Sequence, residues 1–254
     1  MKLATWNVNS LKVRMPRVLE FLELHEPDLL FMQETKCEPD AFPVLEFEAA
    51  GYQVVHHSGG RWAGVALAAR SELGDVCAGL SGEPSSDEAR WLEATVYGVR
   101  AVSVYVPNGR APDTPTYYDK LRFLDAMAER IERLSNDPLV VAGDFNVCPA
   151  DLDVYDPAAF AGDTHVTEPE RERFRALLEA GTVDAFRELH PDEPGFTWWD
   201  YRQGHFHRKM GLRIDAFLAS PPLAERLVEC GIDRNFRKGP KPSDHAPLLA
   251  DLRD

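Results

Sequence analysis

The sequence lacks the features that mark membrane, secreted and disulfide-stabilised proteins. No apolar run among its 254 residues approaches the roughly 20 residues that a membrane-spanning helix needs. The N-terminus shows no apolar stretch before a small-residue cleavage site, which predicts that no secretory signal is present. The four cysteines are far apart and form no C-x-x-C pair, so neither a zinc site nor a redox motif is indicated. We therefore expect reduced thiols in a cytoplasmic protein.

Positive charge is also scarce, because 28 lysines and arginines face 42 acidic residues and the net charge is −14. Nucleic-acid-binding proteins usually carry basic patches, so this balance weighs against a polyanion partner. A bound phosphate is affected mainly by the electric field of nearby charges, however, and not by the net charge of the whole chain. Basic residues are concentrated in the C-terminal third. They are Arg202, His205, His207, Arg208, Lys209, Arg213, Arg234, Arg237, Lys238 and Lys241. Either these are solvated loops, or nucleic-acid binding is confined to them and strongly salt-sensitive.

No linker or charge block divides the chain, which predicts a single domain over residues 1–254. Apolar runs predict strands at 2–8, 29–33, 52–56, 65–69, 92–97, 102–106, 139–142, 196–199, 213–219, 228–232 and 248–252. Periodic patterns predict a helix starting near Pro16 and further helices over 118–134 and 168–180. Gly98 is placed to turn a hairpin. Two sheets packed face to face, with helices outside, would bury these runs in an α/β fold.

Acidic, amide and imidazole side chains follow apolar strands in five short segments. These segments supply Asn7 and Asn9, Glu34, Asp144 and Asn146, Asp215, and Asp244 with His245. A carboxylate at the end of a buried strand is costly without compensation, and several that converge repel one another. A divalent cation resolves both problems. Because the candidate ligands are oxygen atoms, they favour Mg²⁺ or Mn²⁺ over zinc.

The adjacent residues Asp244 and His245 point to opposite sides if the chain is extended there. We therefore expect another carboxylate, with Asp215 the best candidate, to orient His245. An imidazolium beside a carboxylate is suited to holding a phosphate oxyanion. Tyr105, at a strand end, could donate to a phosphate oxygen, although a core tyrosine is the commoner case.

The run Phe196-Thr197-Trp198-Trp199 places two tryptophans side by side. On a strand they face opposite ways, so one ring can be exposed and pack on a sugar or base. The alternative, with both rings in a core, is equally compatible with the sequence.

Seven motifs in order carry a family resemblance: TWNVNS, QETK, YVPNG, GDFN, WWDYR, GLRID and SDHAP. Their spacing, from residue 2 to about residue 252, resembles that of exonuclease III-type abasic endonucleases in the endonuclease/exonuclease/phosphatase superfamily. The resemblance implies a four-layer α/β sandwich of two mixed β-sheets flanked by helices. It also implies a monomeric repair nuclease, using one or two Mg²⁺ or Mn²⁺ ions, that cuts duplex DNA 5′ to abasic sites and trims 3′ ends.

The resemblance further implies roles for individual residues. Glu34 would be the main metal ligand, with Asn7, Asp144, Asn146 and Asp244 nearby. Asp144 would activate or position the attacking water, and Asn146 would help to place that water or the phosphate. His245, held by Asp215, and Tyr105 would contact phosphate oxygens. For DNA, Trp198 and Leu212 would wall the pocket for a flipped-out abasic sugar, and Arg90 and Asn108 would contact the strand.

Two competing hypotheses remain at this point. A phosphatase acting on inositol phosphates, or a sphingomyelinase, would share the core motifs of the superfamily. WWDYR and GLRID favour the DNA-repair branch over it. A non-catalytic DNA-binding or scaffold protein on the same fold would have lost site residues, whereas all of them are present here.

Overall fold

Strands of the computed structural model, which describes residues 1–253, form two six-stranded sheets. The first has the order β11-β12-β1-β2-β4-β3, from β1 (Lys2–Asn7), β2 (Leu29–Gln33), β3 (Gln53–His57), β4 (Val65–Ala69), β11 (Leu227–Ile232) and β12 (Leu248–Leu252). The second has the order β5-β6-β7-β8-β10-β9, from β5 (Gly74–Ala78), β6 (Trp91–Val96), β7 (Val99–Tyr105), β8 (Leu139–Asp144), β9 (Val183–Asp184) and β10 (Asp215–Ala219). Both are mixed sheets, because β1–β2 and β7–β8 are parallel pairs among antiparallel ones.

The helices lie outside the two sheets. They are α1 (Leu11–His25), α2 (Val44–Ala49), α3 (Pro115–Leu134), α4 (Glu168–Glu179), α5 (Ala185–Leu189) and α6 (Pro221–Ala224). Short 3₁₀ turns occur at Pro39–Ala41, Asp151–Asp153, Arg202–Gly204 and Arg234–Arg237. None of the helices within residues 1–253 is long and apolar enough to cross a membrane.

Successive side chains of a strand point to opposite faces of its sheet. Each sheet therefore packs against the other sheet on one face and against helices on the other. In β2, Leu29 and Phe31 enter the core between the two sheets, while Leu30 and Met32 enter the core under the first sheet's helices. Phe31 meets Phe217 of the second sheet edge-on, with ring centroids 6.0 Å apart.

A third core lies on the outer face of the second sheet, where α3 and α4 pack through Phe123, Met127 and Phe174. Three cores between four layers make the α/β sandwich that the family resemblance implies.

Several predicted element boundaries are wrong, and each has a local cause. The first helix begins at Leu11 instead of near Pro16, which lies inside it and costs one backbone hydrogen bond. The helix predicted from 118 begins at Pro115, because the Thr114 side chain accepts from the Tyr117 amide and caps it.

The strand predicted over 196–199 is not a regular strand. Trp198 forms isolated bridges to Leu212 and His245 instead, so this segment links two parts of the chain instead of extending a sheet. Its aromatic residues have high strand propensity, but propensity alone does not supply a pairing partner.

Two other predictions are confirmed. β6 and β7 form a hairpin through Tyr97 and Gly98, both with positive φ, as a tight two-residue turn requires. The four cysteines are free thiols, and three of them are buried.

Candidate active site

The polar side chains predicted at strand ends converge at one edge of the sandwich. Asn7 ends β1, and Tyr105 and Asp144 end the parallel strands β7 and β8 as register partners. β10 runs antiparallel to β8, so its first residue, Asp215, lies opposite Asp144. The registers of the strands thus bring these residues together although they are far apart in the sequence.

Two carboxylates and an amide form the floor of the site. Asn7 Nδ2 donates to Glu34 Oε1 at 2.7 Å and to Asp144 Oδ2 at 2.9 Å. Within residues 1–253, ligand atoms of Glu34, Asp144 and His245 all lie within 4.8 Å of one another, the arrangement that could hold a metal ion. Two carboxylates this close repel each other unless a cation neutralises them.

His245 is held between two aspartates. Its Nδ1 lies 2.8 Å from Asp215 Oδ2, and its Nε2 lies 3.7 Å from Asp144 Oδ2. Burial alone would lower the pKa of His245, but the carboxylates of Asp215 and Asp144 outweigh it and raise that pKa to about 10. These carboxylates favour the imidazolium form of the ring in the metal-free site, and Asp215 already engages Nδ1. The donors left for a cation are oxygens, which fit a hard ion such as Mg²⁺ or Mn²⁺.

Asp144 is 1% exposed, and its surroundings oppose its charge. Burial raises the pKa of Asp144 to about 7; the His245 imidazolium opposes this rise, and the Asp215 and Glu34 carboxylates add to it. Asp144 is thus a carboxylate that can take up a proton near neutral pH in the metal-free site.

Asn146 follows Asp144 in a left-handed conformation, with φ of 51°. Its amide N–H donates to Asp144 Oδ1 at 2.9 Å, and Asn108 Nδ2 donates to its Oδ1 at 3.2 Å. Below it, the buried Lys120 Nζ donates to the Asn146 carbonyl at 2.6 Å and forms an ion pair with the buried Glu170. This pair fixes the loop that carries Asn146, and no sequence motif indicated it.

His165 is a further residue of the site that the sequence analysis missed. Its Nδ1 lies 2.5 Å from the Asn146 carbonyl, and its φ is 79°. Burial, together with the nearby Lys120 ammonium, lowers the pKa of His165 to about 4, so the ring is neutral. It lies in a loop between Asp163 and Val166 that belongs to no recognisable motif, so only the tertiary structure reveals it.

Tyr105 is supported from behind by Arg90. The Arg90 guanidinium lies 4.6 Å from the centre of the Tyr105 ring and donates to the Tyr105 carbonyl at 3.3 Å. Burial, then the Glu34 and Asp144 carboxylates, raise the pKa of Tyr105 well above its ordinary value, so the phenol keeps its proton as a donor. Arg90 itself is 9% exposed, pairs with Glu88 and lines a groove beside the site, and its predicted DNA contact stays a prediction.

A cavity of about 180 Å³ opens onto these groups. Its lining comprises Glu34, Tyr105, Asn108, Asp144, Asn146, His165, Trp198, Ile214, Asp244 and His245. Leu212, predicted as a pocket wall, does not line it. Leu212 is 1% exposed and packs beneath Trp198 with Cys148 and Val154, so Ile214 takes the wall position.

Trp198 and Trp199 do face opposite ways. Trp199 is 1% exposed, whereas Trp198 is partly exposed and borders the cavity. Trp198 Nε1 donates to Asp244 Oδ2 at 3.1 Å, and Asn9 Nδ2 donates to Asp244 Oδ1 at 2.9 Å. Both Asp244 oxygens are therefore engaged, and the structure leaves Asp244 outside the group formed by Glu34, Asp144 and His245.

Two members of the predicted basic surface are buried. Arg213 is 1% exposed and pairs with Asp153 and Asp184. Arg237 is 7% exposed, and its guanidinium packs 4.9 Å from the centre of the Tyr201 ring. Arg202, Arg208, Lys209, Arg234, Lys238 and Lys241 remain exposed. The basic surface is thus smaller than the sequence suggested.

Comparisons with known proteins agree with this geometry. The model of the endonuclease/exonuclease/phosphatase family matches residues 4–245. Exodeoxyribonuclease III of Haemophilus influenzae is 32% identical over 267 residues, covering 100% of both chains. The chain therefore belongs to the endonuclease/exonuclease/phosphatase family, among its exonuclease III-type AP endonucleases.

Two solved structures are similar to this chain throughout its length. The 3′ phosphatase NExo from Neisseria, bound to a product DNA hairpin, has a TM-score of 0.97 and 40% identity, covering 100% of this chain and 99% of its own. An AP endonuclease from Archaeoglobus fulgidus has a TM-score of 0.96 and 40% identity, covering 99% of each chain.

The Asp215→Asn substitution tests the charge on His245. Without that carboxylate, burial opposes the imidazolium, and we expect the pKa of His245 in metal-free protein to fall well below 10. Imidazole nitrogen NMR across a pH titration in EDTA measures it. A pKa that stays near 10 would show that Asp215 does not hold the charge.

Proposed function

We propose that this chain hydrolyses phosphate esters at the 3′ ends of duplex DNA, removing nucleotides and terminal phosphates. The observation that carries the proposal is the buried Asp215–His245 ion pair facing Asp144 and Glu34 in one cavity. A divalent cation on the two carboxylates would lie opposite the imidazolium. Both positive charges would stabilise a phosphoryl group, whose negative charge increases as water attacks.

Glu34 and Asp144 would hold a divalent cation, Mg²⁺ or Mn²⁺, with Asn7 supporting both carboxylates. Bound there, the cation would act as a Lewis acid on the phosphoryl oxygens. The structure supports this through the oxygen donors of the site and through the closeness of the Glu34 and Asp144 carboxylates.

Side chains of the site would orient the water, accept its proton and hold the phosphoryl oxygens. Asp144 would orient the attacking water and accept its proton, in keeping with a pKa of about 7. The His245 imidazolium would hold a phosphoryl oxygen, and the Tyr105 hydroxyl would donate to another. Asn146, fixed from below by Lys120, would keep the water and phosphate in line. Water would then add to phosphorus, the bond to the 3′ oxygen would break, and the departing 3′ oxygen would take up a proton from solvent to give the 3′ hydroxyl.

Incision 5′ to abasic sites is a second candidate, favoured by the fixed Trp198 ring at the cavity wall. An apolar wall accepts a baseless sugar and discriminates against a stacked nucleotide. His165 shares this small cavity, so the room for such a sugar depends on both rings. Arg202, Arg208 and Lys209, which are exposed in the segment that follows Trp198 in the sequence, would make DNA contacts, and Asn108 borders the cavity. We further propose that the protein acts as a cytoplasmic monomer, in keeping with its free thiols.

Asp144→Asn and His245→Ala should each lower kcat about 10²- to 10⁴-fold on a duplex with a 3′-phosphate. Each change removes a side-chain group that would contact the reacting phosphate or water. Circular dichroism would check that each variant keeps the wild-type fold. The matched control is Asp151→Asn, whose side chain is 72% exposed, and it should keep wild-type turnover. Near-normal kcat for either site variant, with metal present, would contradict the assignment.

Trp198→Ala should impair abasic incision more than removal of a 3′-phosphate, because only the abasic sugar needs the apolar wall. Rates on the two substrates, measured with one enzyme preparation, provide an internal control. Equal losses on both would count against the pocket role. Absence of abasic incision already in the wild type would restrict the function to 3′ ends.

A further inference from the structure

Lys36 makes direct contact with the proposed metal ligand Glu34. Its Nζ lies 2.7 Å from Glu34 Oε2 and donates to Asn9 Oδ1, also at 2.7 Å. The proposed hydrolysis uses Glu34 but gives Lys36 no part. The contact between the Lys36 ammonium and a carboxylate proposed to bind a metal ion therefore has no role in the proposed hydrolysis.

The fold imposes this contact through a strained turn. Glu34 and Lys36 both have left-handed backbones, with φ of 50° and 51°, which non-glycine residues rarely adopt. The Thr35 and Lys36 amides donate to the carbonyls of Gly64 and Ala63, at 3.1 Å and 2.9 Å. Gly64 is required there, because a Cβ would lie 2.2 Å from Thr35 Oγ1. The turn thus holds both side chains on the same side of the site.

The two oxygens of Glu34 have different partners. Oε1 accepts from the neutral Asn7 amide at 2.7 Å, and Oε2 faces the Lys36 ammonium. Within residues 1–253, Lys36 is the one basic side chain in an ion pair with Glu34. A divalent cation that binds this carboxylate must therefore replace or repel the Lys36 charge.

The geometry points to Lys36 as an internal counter-cation of Glu34. We propose that it competes with the divalent cation for this carboxylate and is released to a DNA phosphate when the cation binds. This inference rests on the proposed role of Glu34 as a metal ligand.

A groove next to the cavity provides a place for the released side chain. It has a volume of about 470 Å³, and its lining includes Glu34, Lys36, Trp62, Asn108 and Arg110. Glu34, Tyr105 and Asn108 line both the groove and the active-site cavity, and Lys36 lines the groove beside Glu34. Its flexible four-carbon stem can carry the ammonium from Glu34 to a phosphate that follows the groove.

Lys36→Met tests the competition without DNA or turnover. In EDTA the variant should unfold at a temperature about 2–4 °C lower, because Glu34 loses its counter-charge, and saturating Mg²⁺ should remove that deficit. Calorimetric titration should give a Kd for Mg²⁺ about threefold to tenfold lower than that of the wild type. The matched control is Lys12→Met, which removes an exposed lysine from α1 and should change neither quantity.

The release of Lys36 to a DNA phosphate is tested by steady-state kinetics. With saturating Mg²⁺, Lys36→Met should raise KM for a 3′-phosphate duplex severalfold while kcat changes little, whereas Lys12→Met should leave both unchanged. Lys36→Gln, which keeps a donor without the charge, replaces Lys36→Met if the latter does not fold.

An unchanged Mg²⁺ Kd, or an unchanged KM, would overturn the inference for Lys36. If the unfolding temperature of the wild-type protein does not change when Mg²⁺ is added, the proposed metal site at Glu34 is wrong. The two failures are therefore distinguishable.

Discussion

The pairing of His245 with Asp215 is the interaction on which the rest of the site depends. Asp215 begins β10, and the antiparallel register sets it opposite Asp144 at the end of β8. The Asp215–His245 contact of 2.8 Å keeps the imidazole charged although it is buried. That charge partly offsets the carboxylates beside it, and under the proposed function it would face a phosphate bound in the cavity. A shift of one residue in the β8–β10 register would turn Asp215 to the other face of the sheet and abolish the pairing.

Excess negative charge is handled locally at the active site. Glu34 is neutralised by Lys36, Asp144 faces the His245 imidazolium, and Asn7 donates to both carboxylates. Asp153 and Asp184 are similarly matched by the buried Arg213. A chain with a net charge of −14 can therefore present a site suited to phosphate, while long-range attraction to DNA remains weak and sensitive to salt.

The sequence was sufficient where a residue's role follows from its place at a strand end. The apolar runs at 29–33 and 139–142 predicted β2 and β8, the family resemblance implied the four layers, and the polar residues at the ends of β1, β2 and β8 predicted the converging site. His165 and the Lys120–Glu170 pair could not be predicted, because their importance comes from contacts between loops and helices distant in sequence. Leu212 and Arg213 were placed wrongly for the same reason. In a short irregular segment, the residue that faces solvent is decided by packing, not by periodicity.

One metal-supported centre is proposed to hydrolyse phosphate esters at DNA 3′ ends. The most direct measurement follows a 5′-labelled duplex with a 3′-phosphate during incubation of the wild-type protein with Mg²⁺, then with excess EDTA, then with Mg²⁺ restored. The account predicts inorganic phosphate and shortened strands with Mg²⁺, no product in EDTA, and recovery afterwards. Equal product in EDTA, or hydrolysis of a soluble inositol phosphate with the duplex left intact, would contradict it.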